Sequence, residues 1–376
     1  MNYEFPRIIS ATQARIAIAG RDEFTETIKD GYTVFNYHVI LPDSFDCPIR
    51  RELRGMIFDT KSGFVLSRRF HKFFNLNERE ETQIGNIDWS KPHTIERKLD
   101  GSMISPILTS HGIRWTTKMG ITDTSMKCEQ YIAGLKQYRL LAESLCDQGY
   151  TPIFEYTSPT SRIVIRYPED KLTLLAIREN IDGKYVDLDA VAEIAEEYNI
   201  PCNLRRSAGA DIKETVDIVR SLENDEGIVI VFEDGHRVKV KSDWYVSLHN
   251  AKDQLRFEKN AIKLILDQKL DDILPVLDAE DRKRLTEYQS KLLDGIRHTS
   301  HMIEHDLIHY KKICGSKKAF ALNIAPNIDS IDRPFYFNCW DNPQNVQPMM
   351  IERILKACTS QTNVDSIRKW TGVSYV

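Results

Sequence analysis

Apolar and polar residues alternate in short runs from about Thr33 to Lys241, and beyond that the period changes. "LRGMIFDTKSGFVLSRRF" (Leu53 to Phe70) and "GIVIVFEDGHRVKVK" (Gly227 to Lys241) each set two β-type runs around a turn signal, Asp234-Gly235 in the second, and predict hairpins. "KLTLLAIRENIDGKYVDL" predicts a third, turning near Asp182-Gly183. Helical spacing interrupts the strands at Ser125 to Asp147, Asp189 to Asn199 and Asp211 to Asn224. Hairpins alternating with helices predict an α+β fold, antiparallel sheets with helices packed outside, and not a parallel βαβ sheet.

Beyond about Leu248 the apolar residues recur at helical spacing with charges between them, as in "AKDQLRFEKNAIKLILDQKLDDILPVL". This predicts an all-α domain over 248–376 after a mixed domain over 1–247, with the boundary between Ser247 and Lys252. A chain of 376 residues is long for one core, in keeping with two domains.

Composition narrows the function classes. A net charge of −4 argues against coating nucleic acid by bulk electrostatics, so any such contact must be a local patch. No apolar run approaches the roughly 20 residues of a membrane span, and "MNYEFPRII" is no secretory signal, so a cytoplasmic protein is expected. The seven cysteines (Cys47, Cys128, Cys146, Cys202, Cys314, Cys339, Cys358) include no CxxC pair and read as reduced thiols.

None of the 17 glycines has another two residues away, which excludes the dinucleotide and protein-kinase glycine loops. No two glycines stand five apart with lysine following, which excludes a Walker A loop. A nucleotide, if used, must be held by side-chain cations. "VKVK" offers them: Lys239 and Lys241 share one strand face while Val238 and Val240 take the other. Read alone, that pair is a solvated strand surface, and Lys98 in "KLDGS" is a solvated charge beside a turn. As a nucleophile Lys98 would need activation, since only about 0.04% of free lysine is neutral at pH 7.

The fragments form a series. "LRGMIF" with Arg54, "HKFFN" with Lys72, "KLDGS" with Lys98, "TTKMG" with Lys118, "IFEYTSP" with Glu155, "LLAIRE" with Arg178, "DEGIVI" with Glu226 and "KVKSDWY" ending at Tyr245 follow one another. In that order and spacing they resemble the nucleotidyltransferase motifs of covalent nucleic-acid ligases. "FNYH", "KFFNLNE", "KSDWYVSLH" and, more faintly, "CGSKKAFA" resemble the T-even phage RNA ligase 1 family in particular, over nearly the whole chain. The chain departs at Leu99, where the family allows a polar residue, and before Tyr32.

That resemblance implies an ATP-dependent RNA ligase of tRNA repair, in which Lys98 becomes lysyl-AMP and Mg²⁺ assists. It implies a nucleotidyltransferase domain followed by a helical domain that selects cleaved tRNA. It further implies a bacteriophage protein, active as a monomer beside a polynucleotide kinase-phosphatase. By the same resemblance Lys239 and Lys241 hold the α-phosphate and lower the pKa of Lys98, and Arg54 and Lys72 meet the triphosphate or RNA phosphate. Tyr37 lies against the nucleotide, Glu155 accepts from the ribose hydroxyls, and Glu226 serves the metal. Asp100 orients Lys98 or binds Mg²⁺ through water, and Gly101 permits a tight turn. Lys118 and Tyr245 match positions important for activity. Asp271, with Asp272, resembles a metal-linked acidic pair, although a solvated helix end is the plainer reading.

Two alternatives share part of this pattern. A DNA ligase or mRNA-capping enzyme has the same lysine motif, but usually continues into a small β-barrel where this chain turns helical. A non-enzymatic RNA-binding module leaves Lys98, Glu155 and Glu226 unexplained. In the helical region His298, His301, His305 and His309 share a helix face, and His301 and His305 have metal-compatible spacing. A surface that contacts RNA or packs within the protein is the preferred reading. Lys311, Lys312, Lys317 and Lys318 form a basic cluster suited to tRNA phosphates.

Overall fold

The computed structural model describes residues 4–161, 163–203, 205–207 and 211–375. It divides into two compact units, Met1–Val246 and Ser247–Val376. Helix Asp243–Leu255 begins in the first and ends in the second, so the helical texture starts before the expected Leu248.

Strands of the first unit run, in chain order, β1 (Phe24–Ile28), β2 (Tyr32–Tyr37), β3 (Met56–Asp59), β4 (Val65–Ser67), β5 (Phe74–Asn75), β6 (His93–Arg97), β7 (Ser102–Thr109) and β8 (Gly112–Thr116). They continue with β9 (Tyr150–Thr157), β10 (Lys171–Glu179), β11 (Arg205–Ser207), β12 (Gly227–Phe232) and β13 (Arg237–Lys241). Three sheets result, ordered β1-β2-β3-β4, β10-β9-β7-β8 and β11-β6-β12-β13-β5. The named strands pair antiparallel, except that the two-residue β5 lies parallel to β13. The α+β class expected from alternating hairpins and helices is the one found.

Both hairpins with strong turn signals form, β3 with β4 and β12 with β13. The third is reduced: beyond the turn Tyr185 makes an isolated bridge to Arg178, with backbone bonds from the Glu179 amide to Lys184 O and from the Val186 amide to Ile177 O. The helix expected over Ser125 to Asp147 is two, Asp123–Ile132 and Lys136–Asp147. Gly134 stands in the break, where glycine's backbone freedom costs a helix about 1 kcal/mol relative to alanine. Val238 and Val240 pack with Ile230, Phe232, Val216 and Val219, the last two from helix Ile212–Ser221. That core fixes which face of β13 the lysines take.

A buried ion cluster crosses the first unit. The Glu52 carboxylate accepts from Arg178 Nη1 at 2.7 Å and Nη2 at 2.9 Å, and from Arg68 Nε at 3.2 Å. Arg178, one of the motif residues, is therefore spent on this cluster, with its side chain fully buried.

The second unit is organised on one 36-residue helix, Ala279–Cys314. Asp278 caps its start by accepting from the Glu280 and Asp281 amides at 3.1 and 3.0 Å, and Gly315 ends it in the left-handed region at φ 66°. Leu285, Tyr288, Leu292, Ile296, Ile303 and Leu307 form its buried stripe. Buried Glu258 accepts from Tyr288 Oη at 3.0 Å, Arg368 Nη2 at 2.8 Å and the Tyr375 amide at 3.1 Å, tying the chain end to this helix. Among the described residues no helix is long and apolar enough to cross a membrane.

Candidate active site

Strand register assembles the site. β12 lies between β6 and β13, with Glu96 opposite Val229 and Val229 opposite Lys239. One step along, the Lys98 amide donates to Gly227 O at 2.9 Å, and Gly227 faces Lys241. Side chains two apart on a strand share a face, so Lys98 sits beside Glu96, and Lys239 beside Lys241 and Arg237. Gly227 occupies the left-handed region, and a Cβ there would lie 2.1 Å from Val240 O. Only glycine lets β13 come this close.

Glu226, next to that glycine, is buried between two ammonium groups. Its carboxylate lies 2.8 Å from Lys98 Nζ and 3.2 Å from Lys241 Nζ. Lys98 therefore has a charged partner 128 residues away in sequence. Lys241 Nζ also stands 4.8 Å over the Tyr245 ring. Lys239 Nζ has no hydrogen bond or ion pair among the described residues and lies 5.2 Å over the Phe73 ring. Burial, reinforced by Lys72, Arg54 and Lys98, pushes Lys239 well below the ordinary lysine range.

A cavity of about 550 Å³ opens beside Lys98 and is also lined by Arg54, Gly101, Lys118 and Glu155. Phe73, Met103, Leu175 and Val229 supply apolar wall. Burial raises Glu155 to about 7, against the opposing charge of Lys98 and with the help of Glu226. Its Oε1 accepts the Gly101 amide at 3.1 Å. Tyr37 stands nearby among cations, with Lys72 Nζ at 5.8 Å and Lys118 Nζ at 6.0 Å from its ring. Burial raises the Tyr37 phenol, but Arg54, Lys72 and Lys118 outweigh it and the net direction is downward. Lys118 reaches this place because Gly55 has no side chain: a Cβ there would meet Lys118 Cα at 2.4 Å.

Gly101 and Asp100 stand as follows. Gly101 is not in the left-handed region, so its backbone conformation does not demand glycine. It is required by close approach, since a Cβ would lie 2.4 Å from Tyr156 O on β9. Asp100 is buried, with Oδ2 taken by the Val164 and Ile165 amides at 2.8 and 2.7 Å and Oδ1 by Tyr245 Oη at 2.7 Å. Three of the acceptor positions of its carboxylate are thus taken by the protein. Tyr245 is itself buried.

Among the described residues no group of three histidine, cysteine or acidic side chains is placed to hold a metal ion. Asp271 is exposed in the short turn Leu270–Asp272 of the second unit, and the Asp272 side chain lies outside the described residues. His298, His301, His305 and His309 are exposed; among the described residues His301 pairs with Glu304 at 3.3 Å and His305 with Asp306 at 3.8 Å.

Sequence reasoning missed Phe73, Val229, Glu96 and Arg237, all of which line the cavity. The period-2 rule already places Glu96 beside Lys98 and Arg237 beside Lys239. That the two pairs face each other, with Arg237 Nη1 3.6 Å from Glu96 Oε2, needed the strand order.

A sequence profile of the family described as RNA ligase matches residues 52–245. Over 293 residues the chain is 31% identical to a Thermovibrio ammonificans protein named "Putative RNA ligase", covering 74% of each. The chain belongs to the RNA ligase family of the T4 RNA ligase 1 type. It is also 25% identical over 284 residues to "RNA ligase 1" of bacteriophage TS2126, covering 71% of this chain and 69% of that one. A third relative, "Putative bifunctional polynucleotide kinase/RNA ligase" of Autographa californica nuclear polyhedrosis virus, is 27% identical over 281 residues. That match takes in 67% of this RNA ligase and 39% of the larger viral protein. The motif fragments from Arg54 to Tyr245 fall within the stretch that the family profile matches.

Proposed function

We propose that this RNA ligase uses ATP and joins a 5′-phosphate to a 3′-hydroxyl through an adenylate carried on Lys98. Lys98 Nζ, after losing a proton, attacks the α-phosphorus, an N–P bond forms, and the bond to pyrophosphate breaks. A 5′-phosphate oxygen of RNA then displaces the lysine and takes the adenylate. Finally the 3′-hydroxyl attacks the RNA phosphorus, loses its proton, and AMP leaves. Each step is an in-line displacement, for which the protein chiefly positions groups and neutralises charge.

The observation that carries this reading is the setting of Lys98, paired with buried Glu226 at the edge of a cavity lined by Arg54 and Lys118, with Lys241 on the same Glu226 carboxylate. Lys239 and Lys241 suit the α-phosphate. Arg54, a five-donor fork, and Lys72, a point charge, suit the outer phosphates or the RNA phosphate. Lys118 adds a third cation, and Tyr37 packs beside the nucleotide. Glu155 suits the ribose hydroxyls, because a carboxyl poised near pH 7 can accept or donate there.

Among the described residues the acidic side chains do not form a protein-only magnesium centre. They fit a Mg²⁺ held chiefly by phosphates and water, with Glu226 as the carboxylate nearest the chemistry. Bound so, the ion would neutralise phosphate charge.

The substrate proposed is cleaved tRNA, selected by the helical unit through the exposed Lys312, Lys317 and Lys318 and the half-buried Lys311. Ends carrying a 5′-phosphate and 3′-hydroxyl call for a kinase-phosphatase as functional partner. The viral relative whose name joins kinase and ligase supports that pairing.

The test is incubation of the purified chain with α-labelled ATP and Mg²⁺. An acid-sensitive covalent label is expected, lost in Lys98→Ala. No label, or a label that survives Lys98→Ala, would refute the reading. Labelling by GTP in preference to ATP would indicate a capping enzyme, and sealing of nicked DNA in preference to broken-loop RNA a DNA ligase.

A further inference from the structure

The turn that carries Lys98 is held by its amides. The Lys98 amide donates to Gly227 O at 2.9 Å, the Asp100 amide to Tyr167 Oη at 3.0 Å, and the Gly101 amide to Glu155 Oε1 at 3.1 Å. Three acceptors on three separate segments thus surround the nucleophile. Of these, Gly227 and Glu155 already belong to the site, and Tyr167 carries no motif and no charge.

Tyr167 lies in the connection between β9 and β10, which folds back along this turn. Its far end is tied to β9 by Tyr156 Oη, which donates to Asp170 at 2.6 Å. In its middle, Ile163 lines the cavity, while Val164 and Ile165 are buried and give their amides to Asp100 Oδ2. Asp100 therefore grips the connection twice, by its carboxylate and, through Tyr167, by its amide. Asp100 is 4% exposed, so water is a poor substitute for the tyrosine oxygen at that amide.

A lysine ammonium stands at the end of a four-carbon stem, and a small rotation of the turn displaces it by more than the turn itself moves. In-line attack tolerates little such displacement, and an error of about 1 Å costs on the order of 100-fold in rate.

We propose that Tyr167 is a positioning residue for Lys98, its hydroxyl oxygen fixing the Asp100 amide and so the direction in which Nζ points at the α-phosphorus. The inference rests on Lys98 being the adenylated nucleophile. It predicts a step-selective defect. Lysine adenylation depends on the aim of Nζ, whereas sealing of RNA that is already adenylated does not use Lys98 as a nucleophile.

In full-length Tyr167→Phe, single-turnover labelling from α-labelled ATP at saturation should slow about tenfold or more, the loss of one hydrogen bond to a buried amide. The ATP concentration for half-maximal rate should stay within about twofold, and so should the rate of sealing pre-adenylated RNA. A second variant carrying 3,5-difluorotyrosine at position 167 keeps the shape and makes the oxygen a weaker acceptor. Assayed below the pH at which that phenol ionises, it should slow the same step by a smaller factor.

Equal loss in both steps with Tyr167→Phe, together with an unslowed difluorotyrosine variant, would overturn the inference, as would unchanged adenylation in Tyr167→Phe. Absence of lysyl-AMP in the unmodified chain would instead overturn the proposed function. Normal wild-type labelling that the two Tyr167 variants leave untouched would overturn this inference alone.

Discussion

Glu155 ought to make the protein less stable as pH rises, and its neutral analogue ought to remove that cost. The side chain lines the cavity from β9, on the face opposite the core residue Phe154, and burial lifts its carboxyl from the usual 4.5 to about 7. Unfolded, the group releases its proton near 4.5; folded, it keeps it to about 7. Between those values the native state binds more protons, so stability falls as pH rises through the window and levels off above it. At about 1.4 kcal/mol per pH unit, holding the ionised form above pH 7 costs about 3 kcal/mol. Glu155→Gln retains an oxygen to accept the Gly101 amide and cannot ionise. Urea unfolding of nucleotide-free wild type and Glu155→Gln at pH 5 and pH 8 measures the difference, and other titrating groups cancel between the two proteins. The variant should match wild type to within about 1 kcal/mol at pH 5 and exceed it by about 3 kcal/mol at pH 8. It should also lose ligase activity, a site group trading stability for chemistry. A stability difference that is the same at both pH values, or that favours wild type at pH 8, would refute the burial argument.

Two further substitutions test the packing of each unit. Glu52→Gln leaves Arg68 and Arg178 buried without their counter-charge, and should destabilise the first unit by about 3–5 kcal/mol in urea unfolding. A loss below about 1 kcal/mol would show that the two guanidiniums do not depend on Glu52. Gly295→Ala puts a methyl group 1.8 Å from Thr371 O, so the long helix and the C-terminal turn must part. The expected cost is about 1–3 kcal/mol, with faster proteolysis of the chain after Ile367. Unchanged proteolysis would count against this contact.

Local pattern carried much of the fold. Alternation in "GIVIVF" and "RVKVK" is enough to make two strands and to separate Val238 and Val240 from Lys239 and Lys241, because successive side chains on a strand point to opposite faces. The absence of G-x-G required cations in place of a glycine cradle, and the order of the fragments from Arg54 to Tyr245 marked the family. Interruptions were harder to read: helical spacing runs on across the break at Gly134, and the turn signal at Asp182-Gly183 is followed by one isolated bridge in place of a full strand.

What the sequence by itself determined is therefore the set of chemical groups and the face of its own element that each occupies. Tertiary structure decided their partners. Glu226 meets Lys98 because β12 pairs with β6 across 128 residues, and Gly101 is glycine because β9 passes 2.4 Å from where a Cβ would stand. Asp100 holds the connection after β9 because that connection, more than sixty residues later, brings two amides to it. Each is a contact between segments remote in the chain, set by which strands neighbour one another, and local periodicity holds no information about that choice.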